Sequence, residues 1–453
     1  MIKHQFENIG WTVGNHCNAT CGHCYSWKVR KDSREFLTTS DVDRVVSQLR
    51  RLGIKTVNLG GNEPVYTHGT DLKSTLLPYI IRRLTEAGIP VGLTTNGASF
   101  TYLDNHHREE LLMINDIDFS LDSPFEEEHD LNRGNKLYRL TLQAIRRSLE
   151  LGIDCSVITC GMRKNFNRDY LSSFLALTQL LGSEFRVNTL KPVEPALADE
   201  MPSPEQFYEG FSFLMNNSHC ITLGESCLTA LAEAGTAGCP CGTSSFRINA
   251  KTKEGKVPVN PCVYSHEYKA GDLLTDDIFD IINGPQFTAF ADRRRNIPKA
   301  CRESGCSYLE SCRGGCTSRS YLVTGDLESK DPYCPQEYVG KYGVPDVPKR
   351  PDIGCHEGIR VHDNYLCTWI GEVNPDFRDE RYSSLEQFMG GARSEQVAHM
   401  SGCKQVKAGN GGGGGTSLVR IEHQPKKAGA DAGRRMLPII SNQAGAPELT
   451  EVS

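Results

Sequence analysis

Apolar, β-branched runs at residues 9–13, 56–59, 91–95, 116–121, 155–159 and 185–190 alternate with segments of helical period at 41–52, 72–87, 138–151 and 170–181. Several of those segments close on a glycine (Gly53, Gly88, Gly152), the residue suited to a left-handed C-cap before the next strand. Alternation of this kind calls for a parallel sheet with crossover helices, either a doubly wound sheet or an incomplete (β/α) barrel. At 453 residues the chain has room for that unit and one or two smaller modules.

In barrels the chemistry gathers at the C-terminal ends of the strands. Here Gly60-Gly61-Asn62-Glu63-Pro64 follows the second run, Thr94-Thr95-Asn96-Gly97 the third and Ser120-Leu121-Asp122 the fourth. The first run is followed by Cys17, Cys21 and Cys24 in a C-x3-C-x2-C array. Three thiols are one short of a closed tetrahedral zinc site. An iron–sulfur cube, by contrast, can take three thiolates from one loop and leave its fourth iron open. His23 is a poor fourth ligand, because it and Cys24 are adjacent and cannot easily reach one ion. Spacing alone leaves both metals open.

The N-terminus has no signal-peptide pattern, and the longest apolar runs are too short to span a bilayer, so a cytoplasmic location without membrane association is expected. A formal net charge of −6 argues against a nucleic-acid partner, and Arg293-Arg294-Arg295 reads as a solvated turn. Disulfides do not persist in a reducing compartment, so eighteen cysteines point to metal or redox chemistry. Many of them fall in a loop-rich stretch from Cys220 to Cys334. The expected organisation is a barrel over 1–215, a cysteine-rich module over 216–340, an extension with further cysteines over 341–407, and a disordered Gly-rich tail over 408–453. Cys155 and Cys160 bracket the fifth strand at odd spacing, so only one can face the barrel interior. Cys160 is nearer the catalytic end.

The triplet, the glycine loop and the second cysteine field together resemble the radical S-adenosylmethionine (SAM) superfamily with a C-terminal SPASM domain. The resemblance covers residues from about 9 to 334. It implies a partial (β/α)6 TIM-type barrel, a small SPASM domain and a flexible tail. It also implies a [4Fe–4S] cluster on Cys17, Cys21 and Cys24 that binds SAM at its open iron. Gly60, Gly61 and Glu63 match the loop that receives the SAM amino group, with Asn62 inserted. Asn96, Ser120 and Arg133 match positions that line the SAM pocket in relatives.

The array Cys301, Cys306, Cys312, Cys316 and Cys334, with Cys239, Cys241 and Cys262 upstream, resembles a SPASM ligand set for two auxiliary [4Fe–4S] clusters. By that resemblance Cys301, Cys306, Cys312 and Cys334 hold the distal cluster, and Cys241, Cys262 and Cys316 the nearer one. The resemblance leaves the nearer cluster's fourth ligand open: Cys239 is the first candidate and Cys227 the second, and if neither ligates that cluster keeps an open iron. The spacing departs from the family's usual C-x2-C at Cys301 and Cys306.

The activity implied is reductive cleavage of SAM to a 5′-deoxyadenosyl radical, which takes a hydrogen from a residue of a ribosomally made precursor peptide. Backbone excision, crosslinking and epimerisation all begin this way. For an epimerase, Cys160 would be the hydrogen donor. The group of Nif11-class, tyramine-excising maturases is the nearest in kind. A sulfatase-maturase-like oxidation of Cys or Ser in a protein is the alternative substrate reading, and a zinc-binding interaction protein the alternative of another class. Sixteen residues before Cys17 leave no space for a winged-helix leader-binding domain, so a separate leader-recognition protein is expected, or recognition by the region 335–403. A flavodoxin or ferredoxin would donate electrons.

Overall fold

The computed structural model describes residues 6–32, 35–235, 238–352, 360–362 and 368–389. The Gly-rich tail and Cys355, Cys367 and Cys403 lie outside these residues. Six parallel strands make the centre: β1 (Asn8–Thr12), β2 (Thr56–Gly60), β3 (Val91–Thr95), β4 (Ile114–Ser120), β5 (Asp154–Gly161) and β6 (Glu184–Thr189). Each pairs with the next in chain order, forming the wall of a partial α/β barrel.

The two-residue period of the strands sorts their side chains. Trp11, Val57, Leu59, Leu93, Phe119, Val157 and Val187 are fully buried in the apolar core. The intervening Asn58, Thr94, Asp118, Ser120, Cys160, Arg186 and Asn188 line a cavity inside the barrel. The crossover helices are cut to length by their caps. Thr38 and Asp41 form a capping box at the start of the helix Thr39–Leu52, and Gly53 ends it in the left-handed region at φ 74°.

Further strands extend both edges. They are β7 (Ser218–Leu223), β8 (Arg247–Ile248), β9 (Pro258–Asn260), β10 (Gly271–Asp272) and β11 (Trp369–Val373). β8 lies parallel to β1, and β9 and β10 continue antiparallel from it. At the other edge β11 inserts antiparallel between β6 and β7, so part of the segment after the cysteine-rich module completes the barrel's own sheet. Among the described residues no helix is long and apolar enough to cross a membrane. Cys220 on β7 is disulfide-bonded, whereas the other described cysteines form no disulfide.

Arg319, on the helix Thr317–Thr324, joins the barrel to the cysteine-rich module. It is fully buried and pairs bidentately with Glu225 at 3.0 and 2.8 Å and with Asp331 at 2.8 and 2.8 Å. A further donor reaches Thr189 at the end of β6, and the guanidinium stacks 4.5 Å over Tyr333. Removing the cation would leave two buried carboxylates unpaired. Arg319→Met should therefore cost about 3–5 kcal/mol, and Arg319→Lys less, read as the loss in urea midpoint.

Candidate active site

The first cysteine loop is held from below by the helix Glu126–Arg133. Thr20 N–H donates to the Arg133 carbonyl at 2.8 Å, and the Asn135 amide donates to the Asn18 carbonyl at 2.8 Å. The helix ends at Gly134 (φ 63°), where a Cβ would collide with Thr20, so only glycine lets the two segments meet. Arg133 then points a guanidinium at Cys21 Sγ, 3.6 Å away, while pairing with Asp122 at 2.8 Å. His23 Nε2 lies 3.5 Å from the same carboxylate. Burial opposes the charge on Asp122, but Arg133 and His23 outweigh it and hold the carboxyl well below the usual range.

The three thiols themselves resist ionisation. Burial pushes Cys17 up to about 12, with the charge of Glu63 adding to it. Burial pushes Cys21 to about 11 although Arg133 works the other way, and it raises Cys24 as well. Thiolates here require a cation or a cluster to compensate them.

Glu63 is 3% exposed, and its carboxylate is turned to the start of the helix Ala98–His106. It accepts from Ser99 N–H at 2.8 Å, Ser99 Oγ at 2.6 Å, Asn96 N–H at 2.8 Å and the Thr95 hydroxyl. Three of these donors converge on Oε1 and one reaches Oε2, so the side chain fastens the glycine loop in place. Asn96 likewise fastens the cysteine loop: its amide donates to Asn18 Oδ1 at 2.7 Å and approaches Cys17 Sγ at 3.8 Å. Gly60 packs under Thr94 and Asn58.

Of the residues expected at the site, Cys21, Cys24, Gly61, Ser120, Arg133 and Cys160 line one cavity of roughly 150 Å³. Glu63 and Asn96 stand behind its wall. Cys160 faces inward and burial pushes its thiol up to about 12, whereas Cys155 is packed in the apolar core. Tyr264 also reaches the cavity from the cysteine-rich module, its ring 5.3 Å from that of Tyr25 beside the triplet. Arg247 on β8 comes in from the same module to bond the Thr12 hydroxyl and the Gly60 carbonyl, 5.9 Å from the Tyr25 ring.

The second cysteine field forms two groups. Cys239, Cys241, Cys262 and Cys316 are buried together with Val193, Val263, Tyr264 and Phe290. The Cys241 thiol bonds both Cys239 and Cys262. Cys227 lies instead against Cys312, on a helix packed over Leu309–Cys312. Cys306 and Cys334 each feel the Cys312 charge, and Cys301 and Cys334 both act on Lys330. A soft, all-sulfur set of four with no histidine or carboxylate suits an iron–sulfur cluster.

Residues 11–175 match the model of the radical SAM superfamily, and residues 239–307 match SPASM, an iron–sulfur cluster-binding domain. The chain is a radical SAM enzyme with a SPASM domain. Mycofactocin maturase MftC of Mycobacterium ulcerans (strain Agy99) is 26% identical over 347 residues, covering 73% of this chain and 88% of that relative. Streptococcus suis SuiB bound to precursor peptide SuiA superposes with a TM-score of 0.51 at 14% identity, over 74% of this chain and 76% of that one. Native anSMEcpe with bound AdoMet and Cp18Cys peptide gives 0.54 at 13% identity, over 74% and 97%. Those two likenesses concern the fold.

The cofactors of the two domains are a [4Fe–4S] cluster with SAM and auxiliary iron–sulfur clusters, and the thiol sets fit them. A zinc-loaded scaffold is not favoured. Sequence reasoning left Asp118, Arg186, Asn188, Lys191 and Tyr264 unassigned, although the first three are polar residues in strands at the inward period. If Cys239 completes the nearer group, Cys239→Ala should lose up to about four irons per chain, whereas Cys227→Ala should leave that cluster intact, as read by iron analysis and electron paramagnetic resonance.

Proposed function

We propose that this radical SAM enzyme modifies a residue of a ribosomally made precursor peptide. The observation that carries the reading is convergence on one cavity. Cys21 and Cys24 of the triplet, Cys160, and Tyr264, two residues after Cys262, all line it. The similarity to a mycofactocin maturase over 73% of the chain supports a peptide substrate.

When bound, the reduced cluster and SAM supply a 5′-deoxyadenosyl radical, which removes a hydrogen atom from the substrate. The chain's own residues orient and enclose. Asp122 and Arg133 fix the Cys21 end of the loop, Glu63 and Asn96 fix the glycine loop against it, and the apolar outer faces of the strands keep the barrel rigid. Cys160, held as a thiol by burial, keeps an S–H bond inside the cavity at neutral pH. That hydrogen atom can pass to a carbon radical on the bound peptide. The thiyl left behind is restored by one electron and one proton from an external reductant. Cys160 is thus assigned as hydrogen donor, and epimerisation as the outcome that uses it.

Recognition of the leader is assigned to a separate protein, and delivery of electrons to a flavodoxin or ferredoxin. The test is anaerobic co-expression with short precursor peptides, followed by mass spectrometry and assay of 5′-deoxyadenosine. The reading predicts 5′-deoxyadenosine together with a peptide mass shift in water, or one carbon-bound deuterium in D2O. Cys160→Ala should abolish the deuterium while 5′-deoxyadenosine persists. SAM cleavage with no altered peptide in any pairing would contradict the substrate assignment.

A further inference from the structure

Residues 360–362 enter the barrel from the N-terminal ends of its strands. Asp116 on β4 gathers them: it accepts from Val361 N–H at 3.2 Å and His362 N–H at 3.3 Å, and meets His362 Nδ1 at 2.6 Å. Arg360 pairs with Glu184 at the start of β6. Gly92 on β3 is where the segment presses closest. A Cβ there would stand 2.7 Å from Val361 Cγ1 and 2.9 Å from His362 Cε1. A barrel wall carrying two inward acids on β4 and a glycine opposite is matched to this insert.

The far side of His362 meets residues that line the cavity. Its Nε2 lies against the Asn58 amide, 3.3 Å from Thr94 Oγ1 and 3.3 Å from Asp118 Oδ2. Its carbonyl accepts from Arg186 at 2.6 Å, and the same Arg186 nitrogen is 3.4 Å from Asp118. Asn58, Thr94, Asp118 and Arg186 all line the cavity that also holds Cys21, Cys24 and Cys160. Arg186 Nε and Asn188 Oδ1 are buried at that cavity, and each lacks a hydrogen-bond partner among the described residues. A buried donor and a buried acceptor left unmade mark ligand space, since each costs about 1–3 kcal/mol if nothing satisfies it.

We propose that His362, from the segment after the SPASM domain, backs the floor of the reaction cavity and is a positioning residue that holds Arg186 toward the bound ligand. The active site is then built from three parts of the chain: the barrel, Tyr264 of the cysteine-rich module, and the C-terminal segment. Only with the last in place do the inward polar residues of β2, β3, β4 and β6 face a closed chamber of fixed depth.

Substituted-cysteine labelling tests this on the iron–sulfur-loaded protein, with methyl methanethiosulfonate as the probe and site-resolved mass spectrometry as the readout. In His362→Cys the new thiol should be modified when SAM is absent and at least tenfold more slowly when SAM is saturating, because SAM fills the cavity above it. Cys160 should behave in the same way. Cys155, on the outer face of the same strand, should stay unmodified and so report that the barrel is folded. If His362→Cys does unfold the barrel, Thr94→Cys places a thiol at the neighbouring point of the floor and carries the same measurement. A floor thiol that never reacts in a folded barrel, or reacts equally with and without SAM, overturns the proposal. The measurement needs no peptide, so it stands or falls separately from the substrate assigned above.

Discussion

The arrangement of the whole site depends on one buried cation. Arg319 has two carboxylates, a threonine and two aromatic rings around it, and no exposure to water. Desolvating such a group costs several kcal/mol, which only a complete set of partners offsets. Those partners come from distant stretches: Thr189 from the end of β6, Glu225 from the segment after β7, and Asp331 and Tyr333 from the second cysteine field, just before Cys334. Asp331 is shared further, accepting from Cys316 N–H at 2.6 Å. The cation that closes the joint therefore also fixes a member of the nearer thiol group, and through it the placement of that group behind Tyr264.

A second constraint is the polarity of the barrel interior. Its outer faces bury large apolar side chains at about 1.5–3 kcal/mol each, but its inner positions carry acids, amides and an arginine. Buried polar groups are tolerable only when paired. The upper ones are paired by the cysteine loop, through Asp122, Arg133 and His23. The lower ones are paired by residues 360–362. Between the two lies the cavity, where Arg186, Asn188 and the Cys160 thiol remain for a ligand.

Much of this was legible because it is local. The six central strands begin and end within two residues of the apolar runs, since β-branched periodicity and glycine C-caps act over short distances. Odd spacing was enough to tell Cys155 from Cys160. The non-local parts left no such trace. Nothing in the run around Trp369 says that it inserts between β6 and β7, because an antiparallel partner is chosen by edge geometry and not by the strand's own pattern. His362 stands in no motif; its place follows from Asp116, Asp118 and Gly92, each unremarked within its strand. Glu63 was legible as a loop residue, yet the direction of its carboxylate was decided by Ser99, some thirty-six positions on.

The central claim is that the three thiols of the loop after β1 hold an iron–sulfur cluster beside the barrel cavity that Cys21, Cys24 and Tyr264 line. Iron and sulfide analysis after anaerobic purification tests it most directly, comparing the wild type with the Cys17→Ala/Cys21→Ala/Cys24→Ala variant. Three cubes predict about twelve irons per chain, falling to about eight in the variant. Zinc in place of iron, or an unchanged iron content in the variant, would contradict the account.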